Sequence, residues 1–333
     1  MGFATGWADW LNNCAVVAYG AVTAAEYLGA LFSPLTVWPK AVALGLLALF
    51  CGLHLSGLKL SSRIQQFTSS ITAVTFLLLA GACLVHAAPQ AAAAAGAGLR
   101  GVGFWQKLVP MVAALRAIVV TYDGWYEAIY FTEEDTDAAR HVPRAMIGGV
   151  LIIMALYLVM NLAFLHVLTI PALSGSSLPA ADAARIVFPS WGGLFVTVLS
   201  RLTLLSLMNA VLLGAPRILV AIGRDGLLTE RAARVGAGGT PVTAMLLSAA
   251  MAGLLAVSGR FDEIIAIAAI LVAGMYAVNY VAVIVLRVRE PEMARPFRVW
   301  GYPVTTGLVL SGSAIFLVAL VQIAATVRMP IMR

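Results

Sequence analysis

Thr121-Tyr122-Asp123-Gly124-Trp125-Tyr126-Glu127 sets two carboxylates and three aromatic rings around one glycine, inside an apolar run from Lys107 to Thr132. Ionisable side chains are costly in such a run, so each is a candidate for function by default. Glycine has low helix propensity and aspartate competes for backbone hydrogen bonds, so the helix is expected to open here into two halves. Opened backbone at membrane depth is tolerated only where it lines protein or a water-filled cavity. The carbonyls of Val119, Val120, Thr121, Tyr122 and Asp123 would then accept bonds from an ammonium group. A half-helix beginning near Trp125 would direct its amide N–H groups at an anion. A small zwitterion satisfies both poles, with Trp125 and Tyr126 lining or gating the pocket. The competing reading is a simple glycine kink in a continuous helix.

Other polar positions in apolar runs carry paired readings. Arg116 lies about 10 Å by helical rise before the break. It either guides an anionic group, pairs with Glu26, or snorkels to the interface; Arg201 carries the same alternatives. Glu127 either titrates or faces the positive end of the second half-helix. Glu133 and Glu134 end the run, with Arg63, Arg140 and Arg144 expected at the same level, as an inner gate or a static interfacial salt bridge. Asn161, Asn209, Asn279, Thr203 and Ser206 suit interhelical hydrogen bonds. Oxygen donors at Ser206 and Asn209 would also suit a hard cation such as Na+. His54, His86, His141 and His166 are scattered, without metal-ligand spacing. No Ser/His or paired-Asp constellation supports an intramembrane enzyme, and no cofactor is expected beyond a coupling ion, H+ or Na+.

The elements that must carry these groups follow from composition. The chain has 333 residues, 62% apolar and 11% charged, with a mean hydropathy of +0.96. That leaves too few polar side chains to coat a soluble globule, which typically has about 25% charged residues. A water-soluble enzyme and a disordered chain are excluded. An all-α polytopic membrane protein remains. Apolar runs bounded by charges, proline and glycine give about nine transmembrane helices. They run roughly over Trp7–Phe32, Pro39–Gly57, Ser62–His86, Trp105–Glu133, Pro143–Leu168, Ala183–Ile222, Pro241–Ser258, Asp262–Leu286 and Pro303–Val327. The sixth is too long for one crossing and should begin with a surface segment near Ala183–Pro189. Pro89–Gly103 reads as a low-complexity loop.

Basic residues concentrate in alternate gaps, among them Lys59, Arg63, Arg140, Arg144, Arg217, Arg224, Arg231, Arg234, Arg287, Arg289, Arg295 and Arg298. The positive-inside rule places that set, and the N-terminus, in the cytoplasm. The net charge of +6 therefore speaks to topology in a cell membrane and not to nucleic acid. Cys14, Cys51 and Cys83 lie in apolar runs and read as free packing thiols. Ala21, Ala24 and Ala25, and Gly148 and Gly149, are expected to let helices approach closely. With no charged n-region and cleavage site, the first run reads as a retained span.

The motif Thr121 to Glu134, followed by His141-Val-Pro-Arg144, resembles the sixth-to-seventh span signature of the APC (amino acid, polyamine and organocation) superfamily, closest to its amino acid permeases. Pro216-Arg-Ile-Leu-Val-Ala-Ile-Gly-Arg-Asp-Gly-Leu-Leu228 and Arg295-Pro-Phe-Arg-Val-Trp-Gly-Tyr-Pro303 resemble two later family segments in the same order. The resemblance implies a LeuT-like fold of two inverted repeats, each opening on a broken helix. On that register the chain begins at the family's third span and ends after its eleventh. Residues 7–104 are then the remainder of the first repeat, 105–287 the second, and 288–333 an additional C-terminal span, all in one transporter domain. Two further spans, and with them half of the site, are expected upstream of a start placed late; the alternative is a degenerate relative that lacks them. Where many proton-coupled relatives carry a lysine, the register from Gln65 lands on Thr72, and the family's gate aromatic falls on Val120. In some relatives a carboxylate near Glu127 titrates during transport. The resemblance implies secondary active transport of an amino acid across the cytoplasmic membrane, by symport or exchange. A non-transporting scaffold or sensor on the same fold is the alternative.

Overall fold

The computed structural model describes residues 2–87, 111, 114, 118, 121–236, 238–259, 261–295 and 297–326, and every regular element among them is helical. In chain order the helices are α1 (Gly2–Leu31), α2 (Pro39–Leu55), α3 (Leu58–Val85), α4 (Ala138–Val167), α5 (Ile170–Gly175), α6 (Pro179–Val187), α7 (Gly192–Arg224), α8 (Val242–Ser258), α9 (Phe261–Arg289) and α10 (Val304–Thr326), with a 3-10 segment Glu127–Glu134 before α4. By length and composition, four of the described helical stretches can cross a membrane: Leu58–Val85, Ala138–Val167, Gly192–Arg224 and Leu271–Arg289. Pro39–Leu55, Val242–Ser258 and Val304–Val318 are shorter apolar helices. This is a multi-pass helical membrane protein, because only helices or closed barrels satisfy their own backbone in lipid. The low-complexity loop expected over Pro89–Gly103, and much of the first half of the fourth apolar run, lie outside the described residues.

The centre is the pairing of α1 with α7, and α2, α8 and α9 also pack on α1. Small side chains make this close approach. Ala21 and Ala25 of α1 join Ala43 and Leu47 of α2, Met208 and Leu212 of α7, and Met245 and Ala252 of α8 in one buried cluster. Gly20 leaves no room between α1 and α7 for a side chain, since a Cβ there would lie 2.7 Å from Met208 Cγ. Gly20→Leu is therefore expected to cost about 1–3 kcal/mol by overpacking. It should lower the thermal midpoint of the detergent-solubilised protein, and Met208→Ala in the same chain should recover part of the loss.

Around this centre, α3 and α4 pair through Leu79, Ala80, Cys83, Met160, Ala163 and Val167. Their remaining surfaces carry exposed apolar side chains such as Leu78, Ile152, Leu158 and Leu162, as a lipid-facing helix does. The glycine pair on α4 does not behave as expected. A Cβ at Gly148 or Gly149 would meet nothing within 4 Å among the described residues, so neither glycine marks a close helix approach there. The surface segment expected before the sixth span is the separate helix α6. Ala180, Ala181, Ala183 and Ala184 bury one face of it, while Asp182 and Arg185 pair at its rim. The chain then turns sharply into α7. A Cβ at Gly192 would sit 2.4 Å from the Ala184 carbonyl oxygen, so no larger residue fits that turn. Cys14, Cys51 and Cys83 are free and buried, as a packing role requires.

Candidate functional site

The 121–134 segment does not continue as one helix. Thr121 and Tyr122 are helical, residues 123–126 form a turn, and the chain resumes as the 3-10 segment Glu127–Glu134. Gly124 adopts φ +89°, a conformation that side chains with a Cβ rarely take. Past the turn the bonding is i to i−3, with Glu127 N–H to the Gly124 carbonyl at 3.1 Å and Ile129 N–H to the Tyr126 carbonyl at 2.9 Å. The second half is thus 3-10 where an α-helical half was expected, and this tighter winding changes which groups share a face. Val119, Val120 and Arg116 lie outside the described residues, so their expected roles stay with the sequence.

One side of the turn opens on a cavity of about 350 Å³ lined by Thr121, Tyr122, Asp123, Gly124 and Trp125, with Gly149, Ile153 and Tyr157 of α4 opposite. The volume lies within the usual small-molecule range of about 300–1,000 Å³. Tyr122 meets Tyr157 edge to face, ring centroids 5.0 Å apart. Gly149 therefore contributes a wall without a side chain.

The other side is fastened to two helices. Tyr276 of α9 donates its hydroxyl to Asp123 Oδ1. Asp9 of α1 receives the Tyr126 hydroxyl on Oδ1 at 3.1 Å and the Tyr130 hydroxyl on Oδ2. The rings form a continuous aromatic group: Trp125 stacks on Tyr276 at 6.2 Å, and Tyr126 stands edge-on to both Tyr276 and Tyr130, at 5.8 and 6.1 Å. Neither Asp9 nor Tyr276 stood out in the sequence. The available signal was one carboxylate in an apolar helix and one tyrosine in another, and only the fold brings them to the break. Asp9, Asp123 and Glu127 make no ion pair among the described residues. Glu127 folds back so that its Oε1 would lie 3.5 Å from a Cβ on Gly124.

The segment's far end is held ionically, by partners other than those expected. Glu134 accepts from Arg217 Nε at 2.7 Å and Glu133 pairs with Arg224, both arginines from α7. Arg217 also lies over the Phe131 ring, 4.3 Å from its centroid. Arg63, Arg140 and Arg144 do not pair with these glutamates among the described residues, because α7 packs against the 3-10 segment and presents its own cations first. Beyond Glu134 the chain bends into α4. There the Asp135 carboxylate accepts from Asp137 N–H and His141 Nδ1, at 2.8 and 2.9 Å, and these bonds hold it below the usual carboxylate range.

A separate polar network joins α3 to α7. Gln65 Oε1 accepts from Asn209 Nδ2 at 3.0 Å and Ser206 Oγ at 3.3 Å, and Ser206 shares a hydrogen bond of 2.8 Å with Thr68. Ser206 and Asn209 thus bond between helices, as interhelical polar residues do. The Asn209 Oδ1 and Ser61 Oγ atoms are buried without a hydrogen-bond partner among the described residues. Thr72 is back-bonded to the Thr68 carbonyl at 2.9 Å, which turns its hydroxyl onto its own helix. Beside the network a cavity of about 420 Å³ is lined by Ser62, Gln65, Gln66, Ser69, Phe131 and Glu134. Glu26 is exposed, and Arg201 stacks over Tyr27 at 4.9 Å. No group of His, Cys, Asp or Glu among the described residues could hold a metal ion.

The family model described as "Amino acid permease" matches residues 1–332. The chain is 26% identical to the serine/threonine exchanger SteT of Bacillus subtilis (strain 168) over 327 residues, which is 94% of this chain and 71% of that protein. It is 24% identical to the branched-chain amino acid permease BcaP of the same organism over 260 residues, 76% of this chain and 53% of that one. It is 26% identical to the b(0,+)-type amino acid transporter 1 of Homo sapiens over 200 residues, 59% of this chain and 40% of that one. The chain thus spans roughly two fifths to seven tenths of the length of these relatives. They are transporters and not enzymes, and with the family model running over nearly its whole length, the chain belongs to the amino acid permeases of the APC superfamily.

Proposed function

We propose that this protein carries out secondary active transport of an amino acid across the cytoplasmic membrane by alternating access, as a symporter or an exchanger, and that the substrate is gripped at the opened 121–126 backbone. The observation that carries the reading is the positive φ of Gly124 in an apolar segment, with the regular winding lost from 123 to 126. A main chain that leaves regular winding at membrane depth is tolerated where it lines protein or a polar site. The carboxylates and rings around the turn suit the ammonium end of a zwitterion.

Nine spans in a LeuT-like arrangement, with the N-terminus in the cytoplasm, fit the helix order and the basic residues of alternate gaps. On that topology the Glu133 and Glu134 pairs lie at the cytoplasmic end and close the path from the turn. A coupling ion, H+ or Na+, belongs to the same proposal.

The test is uptake into proteoliposomes by the full-length gene product, with labelled L-serine, L-isoleucine and L-arginine and with imposed H+ and Na+ gradients. Uptake of at least one of them, competed by the unlabelled amino acid, is expected. A well-folded protein that moves none of a full amino acid panel would favour a scaffold or sensor. In the same assay Asp123→Ala is expected to lower the initial rate by only about two- to fivefold, since the main chain of the turn remains while the Tyr276 hydroxyl loses its acceptor.

A further inference from the structure

The opened segment is fastened at three places: Asp123 to α9, Tyr126 and Tyr130 to α1, and Glu133 and Glu134 to α7. At the far end the Glu133–Arg224 pair is open to solvent on both sides, where such a pair is worth little, and in the other pair Glu134 is 39% exposed beside a buried Arg217. The middle fastening is the dry one, with Asp9 and Tyr126 each 8% exposed.

Its base is rigid. One residue beyond Asp9, Trp10 Nε1 donates to Ser248 Oγ of α8 at 2.9 Å. Asn13 Nδ2 donates to the Asp9 carbonyl at 2.9 Å and to Oδ1 at 3.3 Å. The Tyr130 ring has its own seat on α7, where a Cβ on Gly214 would lie 3.0 Å from Cδ2. A buried carboxylate is costly without compensating bonds, and so is a buried tyrosine hydroxyl, so each side of this contact depends on the other.

We propose that Asp9 is the positioning residue of the opened segment: it seats Tyr126 and Tyr130 against α1, and its two bonds part when the segment swings during transport. Tyr126 touches Trp125 and Tyr276, the rings that flank Asp123. The seat on Asp9 therefore fixes the shape of the turn at a distance. The swing rests on the transport reading; the seating stands on the contacts alone.

The experiment compares Asp9→Asn, Tyr126→Phe and the double variant in the full-length protein in proteoliposomes, reading KM and Vmax separately for whichever of the three labelled amino acids is taken up. Each single change is expected to raise KM about tenfold with a smaller fall in Vmax, and the double variant should be no worse than the worse single. A purely structural role would reduce the amount of active protein and leave KM alone. An unchanged KM, or effects that multiply in the double variant, would overturn the proposal.

A second arm does not need transport. Ser62→Cys places a thiol in the cavity that Phe131 borders, next to Tyr130. Its labelling by a membrane-impermeant maleimide is measured against the chain with Ser62 intact. Asp9→Asn should speed that labelling about tenfold as the segment is released. An equal rate would contradict the seating role whether or not the wild type takes up any amino acid.

Discussion

Gly124→Leu is expected to abolish uptake while the protein still reaches the membrane in near-normal amount. The glycine holds φ +89°, a region that costs a residue with a Cβ about 1–3 kcal/mol. Leucine is also a good helix former. Both effects favour a regular winding through 123–126, so the opened main chain proposed to grip the substrate is lost. Space is a lesser obstacle, since the nearest atom to the new Cβ is Glu127 Oε1 at 3.5 Å. That separates a conformational cause from a steric one. Gly124→Asn should retain part of the uptake, because asparagine visits positive φ more readily than other side chains. Initial rates normalised to protein in the proteoliposome decide between them, and equal losses for Asn and Leu would point to crowding instead.

Arg217→Ala is expected to have the next largest effect. Arg217 donates to Glu134 at 2.7 Å, donates to the Leu213 carbonyl and covers the Phe131 ring. Its side chain is 9% exposed and that of Glu134 39%. Removing the arginine leaves a half-buried glutamate without its cation, at a cost of about 1–3 kcal/mol once the exposure of Glu134 is allowed for. Uptake should fall about tenfold or more, with a lowered thermal midpoint. Arg217→Ala with Glu134→Gln should recover much of the stability, because no charge is then left unpaired. Arg217→Lys should recover little, since a lysine keeps the charge but not the planar stack on Phe131 or the second donor. If the double variant is as unstable as the single, the arginine acts through packing alone.

The helices were legible in the sequence because each apolar run must be about 20 residues long to cross the bilayer. The run Ser62–His86 is the helix Leu58–Val85 and Pro241–Ser258 is Val242–Ser258, each within a few residues. The interruption at Asp123-Gly124 was legible for a local reason, the low helix propensity of both residues. What surrounds it was not. Asp9 and Tyr130 are 121 positions apart, and no local pattern announces a contact that forms only when α1 packs beside the broken segment. Glu133 and Glu134 were recognised as ion-pair residues, but their partners depend on which helix face lies nearest, and Arg217 and Arg224 of α7 were closer than the arginines that flank the segment in sequence. Gly148 and Gly149 show the same limit in reverse. A small-residue pair reads as a helix crossing, and here it marks no close approach among the described residues, with Gly149 in the wall of a cavity.

The most direct measurement is a density map of the full-length protein with and without a transported amino acid, at a resolution that shows main-chain carbonyls. The expected map shows i to i+4 bonding interrupted from 122 to 127 in both states, and the ammonium or carboxylate of the bound molecule within hydrogen-bond distance of the main chain of 121–126. An unbroken helix through Gly124, or an amino acid seated with no contact to that stretch of backbone, would contradict it.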